Sequence, residues 1–381
     1  MKKFLIKHVL ISLDTGGAEL LLFRLLKIQT KNTHFVHEVI SLTDIGSVGY
    51  QLESLGIKVH SLKMKNLFDT PKIFFKLWIL FIRDKPSIVQ TWLYHSDLLG
   101  GFAARLAGVK NVIWGVHSTD IRYGDNLTTF YVRELCAKFS KLIPKSIVFV
   151  SNVSRKIHTD IGYSPINMLT ISNGVNVSDF KSTHNFSAQL KTELNWAVDT
   201  LIIGIVARFN PDKDIENFIR AAAIVANNNQ NAKFILVGRQ LTLENHELMA
   251  HINETGASKK FALLGERSDV PLLMSSMDIF CLSSRTEAFP TVVCEAMASG
   301  IPCVVTDVGD TSMLIADTGI VVPKENSTAL AGELLKMLSF DKLTRDELGQ
   351  KARKRISSEF TMKHCSEKYE ALYRSLLKTK A

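Results

Sequence analysis

The chain has 381 residues, 46% of them hydrophobic and 22% charged, with 21 glycines and 9 prolines. That apolar content excludes a disordered chain, the glycine and proline counts exclude a collagen-like fibre, and at roughly 150 residues per domain the length suggests two domains. A net charge of +9 favours anionic partners such as phosphorylated ligands or an acidic membrane surface.

Nucleic acid is not expected as a partner. The lysines and arginines are scattered, with no zinc-finger spacing, RNP-like aromatic motif or basic arm. Cys136, Cys281, Cys294, Cys303 and Cys365 lie far apart with no C-x-x-C pair. They fit a reducing, cytoplasmic setting and neither a disulfide framework nor a zinc ribbon.

The N-terminal stretch MKKFLIKHVLISLDTGG is basic and then apolar, but His8 interrupts it, Asp14 follows it, and no small-residue cleavage site appears. It reads as a first buried strand and not as a signal peptide. The loop Asp14 to Glu19 then leads into the apolar ELLLFRLLKI. Gly16 and Gly17 sit where backbone amides at a helix start can approach an anion, although a plain tight turn is the competing reading. No G-x-G-x-x-G occurs in the chain, which counts against a nicotinamide-dependent dehydrogenase.

HEVISL, KVHSL, SIVQTWLY, VIWGVH, SIVFVS and LTIS follow as buried runs, most separated by helix-length segments. This rhythm belongs to a parallel sheet covered on both faces. Within it, Lys63 to Lys85 mixes basic residues with Phe74, Phe75, Leu77, Trp78, Leu80, Phe81 and Ile82. The segment reads either as a basic amphipathic helix for an anionic membrane or as a core helix with charged ends, and one helix can do both. Its apolar window, Ile73 to Ile82, is only half a membrane span. Trp92, Tyr94, His95 and Asp97 follow one strand end as candidate lining of an acceptor pocket, with aromatic packing the alternative. His117 follows another strand end; it is a candidate donor to a reacting centre or a histidine satisfied by backbone.

After Gly174 the texture turns polar, and about Val177 to Thr200 reads as a linker. The rhythm restarts with LIIGIVA, KFILVG, FALLG, IFCLS, CVVT and GIVV, a second doubly wound domain. Arg208 and Lys213 in the first loop of this domain suit a diphosphate, one by a bidentate fork and the other as a point charge. Asp212-Lys213-Asp214 spells D-x-D, but the intervening lysine favours an acidic first turn over a metal site. In Ser283 to Gly300, Pro290 opens a helix and Gly300 closes it. Glu287 then lies before that helix and Glu295 in its second turn, carboxylates suited to sugar and ribose hydroxyls beside free amides; ordinary capping is the competing reading. Finally, Met362, Cys365, Tyr369, Leu372, Tyr373 and Leu376 share one helical stripe, with a return to the first domain as its natural cover.

Taken together, these residues resemble glycosyltransferase family 4 over nearly the whole chain. The resemblance rests on the G-G-A-E loop (Gly16 to Glu19), His117, S-N-G-V (Ser172 to Val175), Arg208 with Lys213, and T-E-A-F-P-T-V-V-C-E-A-M-A-S-G-I-P from Thr286 to Pro302. It implies the α/β GT-B architecture: two doubly wound Rossmann-like domains facing a central cleft, with a C-terminal helix returning to the first. The implied domains are residues 1–180 with helix 361–381 for the acceptor, and residues 198–360 for the nucleotide-sugar. It further implies a retaining, metal-independent hexosyltransferase with no cofactor, a UDP-sugar favoured over a GDP-sugar, and a glycan or lipid-linked acceptor in surface polysaccharide or lipopolysaccharide synthesis.

The implied setting is cytoplasmic, at the inner membrane face. Carried over, Arg208 and Lys213 hold the donor diphosphate, which Gly16 and Gly17 approach. Glu295 binds ribose, Glu287 the sugar hydroxyls, Phe289, Pro290, Thr291 and Val292 meet sugar and phosphate by backbone, Arg267 lies beside the base, and His117 sits near the anomeric centre. Ala207, Ala288 and Gly309-Asp310 depart from the family's usual glycines. Two other readings share such a fold: a non-catalytic nucleotide-sugar-binding or membrane-associated scaffold, and a phosphorylase or nucleotide-sugar epimerase.

Overall fold

The computed structural model describes residues 3–31, 34–119, 127–180 and 184–378. They divide into two compact units, Met1–Asn173 with Met362–Ala381, and Gly174–Thr361. The unit boundary falls at Gly174, where the sequence changes texture.

The first unit is built on seven parallel strands: β1 (Phe4–Leu10), β2 (Phe35–Ser41), β3 (Lys58–Ser61), β4 (Ile88–Trp92), β5 (Val112–Val116), β6 (Ser146–Phe149) and β7 (Met168–Thr170). Their order is β3-β2-β1-β4-β5-β6-β7, so the direction of winding reverses between β1 and β4. Both faces are covered, which is why the strands read as continuous apolar runs. On β1, Ile6 and Leu10 face one core and Val9 the other. Lys7 is fully buried, and its ammonium is held by Glu38 and by Asp84 at 2.8 Å. A buried cation without such partners would be strongly destabilising.

The C-terminal helix Met362–Lys378 buries the expected stripe, Met362, Cys365, Tyr369, Leu372, Tyr373 and Leu376, in the first unit's core. The Tyr373 hydroxyl donates to Gln90 Oε1 of β4 at 2.6 Å. The return predicted from the stripe is therefore made.

The second unit has six parallel strands: β8 (Leu201–Val206), β9 (Ala232–Val237), β10 (Phe261–Gly265), β11 (Ile279–Leu282), β12 (Cys303–Thr306) and β13 (Ile320–Val322). The order β10-β9-β8-β11-β12-β13 places its reversal between β8 and β11. All five cysteines are free and buried.

Two sequence readings need correction. The stretch Val177 to Thr200 is not a bare linker: it holds a 3₁₀ turn at Val177–Asp179 and a helix at His184–Glu193. That helix buries Leu190 fully, and it is packing of this kind that stabilises so short a helix. The basic segment 63–85 is not one helix either. Asn66 and Asp69 form a capping box around a 3₁₀ turn at Leu67–Asp69, and the α-helix begins at Thr70 with Pro71 in its first turn. This helix, Thr70–Asp84, buries Ile73, Leu77, Leu80 and Phe81 and exposes Phe75, Ile79 and Ile82. One face is core and the other apolar face is open.

Candidate active site

Ligands of open α/β sheets bind beyond the carboxyl ends of the strands, where the winding reverses. In the second unit that rule selects the loops after β8 and β11, which carry Arg208, Lys213 and Glu287, with Glu295 on the helix that follows.

After β8 the chain passes Ala207 and Arg208 to Asn210, whose side chain accepts from the Asp212 amide at 2.8 Å and caps the turn Pro211–Lys213. Lys213 Nζ reaches Glu287 Oε1 at 2.5 Å, and Ser284 Oγ donates to the same oxygen at 2.8 Å. The two loops are also joined through the backbone: Arg285 N donates to Asp212 O at 2.8 Å, and Ser283 Oγ to Lys213 O at 2.8 Å. Thr306 Oγ1 at the end of β12 donates to Ser284 O at 2.8 Å. Lys213 and Glu287, predicted separately as a diphosphate cation and a sugar-binding carboxylate, are thus joined and fixed from three strand ends.

Glycines set two close approaches here. Gly238, at φ +136°, lies against the Ala207 carbonyl, where any Cβ would collide. Gly309, at φ +54°, lies against the Glu287 and Ala288 carbonyls in the same way. Arg208 itself is exposed and, among the described residues, has no ion-pair partner. It is available to an incoming anion.

The helix after this loop spans Thr291–Ala298, with Pro290 at its cap position, one place earlier than the sequence reading put it. No side chain caps it, and the Val293 amide donates to Pro290 O at 3.0 Å; a helix N-terminus of this kind carries the partial positive charge that suits an anion. Phe289 and Pro290 are buried, and Phe289 packs its ring 6.0 Å from Phe360. That packing anchors the loop ahead of the half-buried Thr291, Val292 and Glu295. Arg267 forks onto Asp269, Nε to Oδ1 at 2.8 Å and Nη2 to Oδ2 at 2.7 Å.

Sequence reasoning missed Arg285 and its pairing with Asp214. Asp214 stands at φ +46° before the helix Ile215–Asn228, and its carboxylate meets Arg285 Nη2 at 2.9 Å. Burial raises the Asp214 carboxyl above its ordinary value, against the pull of Arg285. Of the D-x-D triplet, this carboxylate is therefore tied to an arginine. Among the described residues no group of three His, Cys, Asp or Glu side chains is placed to hold a metal ion.

In the first unit the reversal selects the loops after β1 and β4. Gly16 caps the helix Gly17–Gln29 in an extended conformation, and the Glu19 carboxylate folds back over it. Burial, with Asp14 adding repulsion, raises the Glu19 carboxyl. A Cβ on Gly17 would meet nothing within 4 Å, so the backbone there is open to an approaching group.

His117, just beyond β5, stacks on Trp92 with ring centroids 4.9 Å apart and 21° between planes. Gly115 leaves room for this ring, since a Cβ there would stand 3.2 Å from His117 Nε2. Burial pushes the imidazole down to about 3, so it is neutral at physiological pH. Trp92 Nε1 donates to His8 Nδ1 at 3.3 Å, and His8 Nε2 lies 3.0 Å from His37 Nδ1.

The expected pocket of Trp92, Tyr94, His95 and Asp97 separates. Trp92 ends β4 and is fully buried; the Tyr94 hydroxyl is spent on His158 Nε2 at 2.7 Å. Asp97 is buried, accepts from Thr91 Oγ1 at 2.5 Å and Gly115 N at 3.3 Å, and burial holds its carboxyl well above the usual range. Trp92 points inward from the strand, and the helix that starts at Tyr94 turns Tyr94 and Asp97 inward. His95 borders a cavity of the first unit.

The model of the family described as glycosyltransferase family 4 matches residues 15–179, and that of the glycosyl transferases group 1 matches residues 187–355. The chain belongs to glycosyltransferase family 4. It is 25% identical over 347 residues to the capsular polysaccharide biosynthesis glycosyltransferase CapM of Staphylococcus aureus, covering 88% of this chain and 90% of that one. To an Escherichia coli UDP-Gal:α-D-GlcNAc-diphosphoundecaprenol α-1,3-galactosyltransferase it is 24% identical, covering 81% and 80%. In fold it resembles Anabaena HepE, solved in complex with UDP-glucose, with a TM-score of 0.84 at 21% identity over 97% and 99% of the chains. As a glycosyltransferase of GT-B type, it has the two-sheet architecture that the family resemblance implied.

Proposed function

We propose that this glycosyltransferase is a retaining enzyme that moves a hexose from a UDP-sugar to a lipid-linked glycan acceptor in bacterial surface polysaccharide or lipopolysaccharide synthesis. The observation that carries the proposal is the knot of Lys213, Glu287 and Ser284 beside the uncapped helix start at Thr291 and the unpaired Arg208. Two cations and a row of amides suit a diphosphate, and a carboxylate held between them suits sugar hydroxyls.

When the bond from the anomeric carbon to the diphosphate oxygen breaks, negative charge grows on the leaving group and positive charge on the sugar ring. Arg208, Lys213 and the helix start stabilise the leaving group, which is the work a metal ion does elsewhere. The acceptor hydroxyl oxygen bonds to the anomeric carbon on the face that the diphosphate leaves. Its proton passes to the departing phosphate oxygen, so no enzyme nucleophile is needed. Neutral His117 serves as a hydrogen-bonding group near the sugar and not as an acid. UDP is favoured because the E. coli relative is named for UDP-Gal and HepE was solved with UDP-glucose. The E. coli relative's diphosphoundecaprenol acceptor supports a lipid-linked acceptor here.

Among the described residues no helix is long and apolar enough to cross a membrane. The exposed Phe75, Ile79 and Ile82 with Lys72, Lys76 and Arg83 support peripheral contact with an anionic leaflet. Incubation with UDP-hexoses and a glycan-diphospholipid, with the product linkage read by NMR, tests the reading. An α-linked product from an α-linked donor is expected, and a β-linked product contradicts retention.

A further inference from the structure

The first unit holds a partly open cavity of about 680 Å³, the one that His95 borders. Packed cores leave few voids larger than a water molecule, whereas ligand cavities run from about 300 to 1,000 Å³. Its walls come from helices Thr70–Asp84, Tyr94–Leu106 and Leu127–Phe139, through Phe74, Leu98, Phe102, Val132 and Phe139. The lining is mostly apolar, with polar side chains such as Thr43, Asn66 and His95 in the minority, so a polar substrate would recover few of the hydrogen bonds it gives up to water. A hydrocarbon chain loses nothing.

Three further features narrow the occupant. Ile11, Leu42 and Thr43 lie just beyond β1 and β2, and His95 just beyond β4, so the cavity borders the same sheet edge as Gly16 and His117. Leu67 is in the wall and 62% exposed, and its neighbour Phe68 is 95% exposed, so the cavity opens beside an uncovered apolar rim. Lys65 is also in the wall. The nearby acid, Asp69, is taken up by the Lys65 and Asn66 amides at 2.8 and 3.4 Å. An apolar chamber with a cation at its wall matches a hydrocarbon chain that ends in a diphosphate.

We propose that this cavity receives the first part of the hydrocarbon chain of a diphosphate-linked lipid acceptor, with Lys65 at the diphosphate. The assignment rests on the lipid-acceptor reading above and adds where the lipid enters.

Farnesyl diphosphate, below its micellar concentration, is the probe, titrated into the full chain by calorimetry beside inorganic diphosphate and UDP. It binds at least tenfold more tightly than inorganic diphosphate. Val132→Trp, which fills the chamber, and Leu67→Glu, which charges its exposed rim without touching the core, each weaken it tenfold or more and leave UDP binding unchanged. Equal affinity for farnesyl and inorganic diphosphate overturns the proposal, as does farnesyl binding that survives both substitutions. A dimer of the wild type that Leu67→Glu dissociates also overturns it, since a second copy is then the occupant. Farnesyl binding as described without UDP binding supports the cavity assignment while the donor reading fails, so the two are told apart.

Discussion

Lys213 Nζ and Glu287 Oε1 lie 2.5 Å apart, joining the loops after β8 and β11 at the point where the second sheet reverses its winding. The pair keeps each charge satisfied and holds it beside the uncapped helix at Thr291. Pre-positioned charge of this kind needs no reorganisation when the leaving group develops its own. Lys213→Ala and Arg208→Ala are each expected to lower kcat by about 10²- to 10³-fold, the usual loss for a donor aimed at transition-state charge. Steady-state kinetics decide it: a loss below about threefold for both removes their role.

Gly17 separates function from folding. It is the first residue of a helix and has open space above its Cα, so Gly17→Ala should leave the thermal midpoint unchanged or raise it slightly, by about 0.5–1 kcal/mol of helix stability. If the backbone there approaches the donor phosphate, the same methyl group lowers kcat/KM by about tenfold or more, a cost of about 1.4 kcal/mol. Gly309→Ala should behave differently. Its positive φ and its contact with the Glu287 and Ala288 carbonyls make the substitution lower both stability and activity.

Three histidines of the first unit govern its acid stability. Burial, with the facing His37 adding to it, holds His8 well below its ordinary value; burial alone lowers His37 to about 4 and His117 to about 3. Each is neutral when folded and takes up a proton when unfolded below about pH 6.5, so stability is full above that value and is lost as pH falls toward the folded values. Each histidine contributes a slope of up to about 1.4 kcal/mol per pH unit. Asp97, with its raised carboxyl, acts with the opposite sign from the ordinary carboxylate value upward. The histidine effect is therefore read as the difference between wild type and variant from pH 6.5 to 5, by denaturant unfolding. His37→Phe should flatten that limb, and an unchanged slope contradicts the assignment.

How much of this was legible in the sequence varies with the range of the interaction. The strands, the two units and the stripe from Met362 to Leu376 follow from local apolar period, because each element buries its own pattern. Lys213 and Glu287 were legible as charges in loops at strand ends. Their contact was not, since it depends on β8 and β11 being neighbours in the sheet. Arg285 was hidden for the same reason: its partner Asp214 is far away in sequence and looked like part of an acidic turn. Trp92 misled because it is still on β4, where its indole turns inward to His8, and Asp97 because the helix that starts at Tyr94 turns its carboxylate inward to Thr91.

The C-terminal helix is a structural part of the first unit. Tyr373→Phe removes the hydroxyl that satisfies buried Gln90 Oε1. That change should cost about 1–3 kcal/mol in denaturant unfolding, as for a stranded buried acceptor, with kcat unchanged. A loss of activity at unchanged stability would assign the tyrosine a different role.

The outward face of helix Thr70–Asp84 is expected to bind liposomes containing anionic lipid at low salt and to release them as salt rises, since screening shortens the attraction. Phe75→Glu with Ile79→Glu should abolish sedimentation with the liposomes and leave UDP binding intact. Wild-type protein that ignores anionic liposomes at low salt contradicts a membrane role for this face.

The most direct test of the donor site is thermal unfolding with UDP, GDP, ADP and dTDP on the wild type, Lys213→Ala and Glu295→Ala. A ligand at about 100 times its Kd stabilises by roughly 2.7 kcal/mol. The expected result is a rise in midpoint with UDP for the wild type, lost in both variants. No shift with any nucleotide, or a shift that both variants retain, contradicts a nucleotide-sugar site built on Lys213, Glu287 and Glu295.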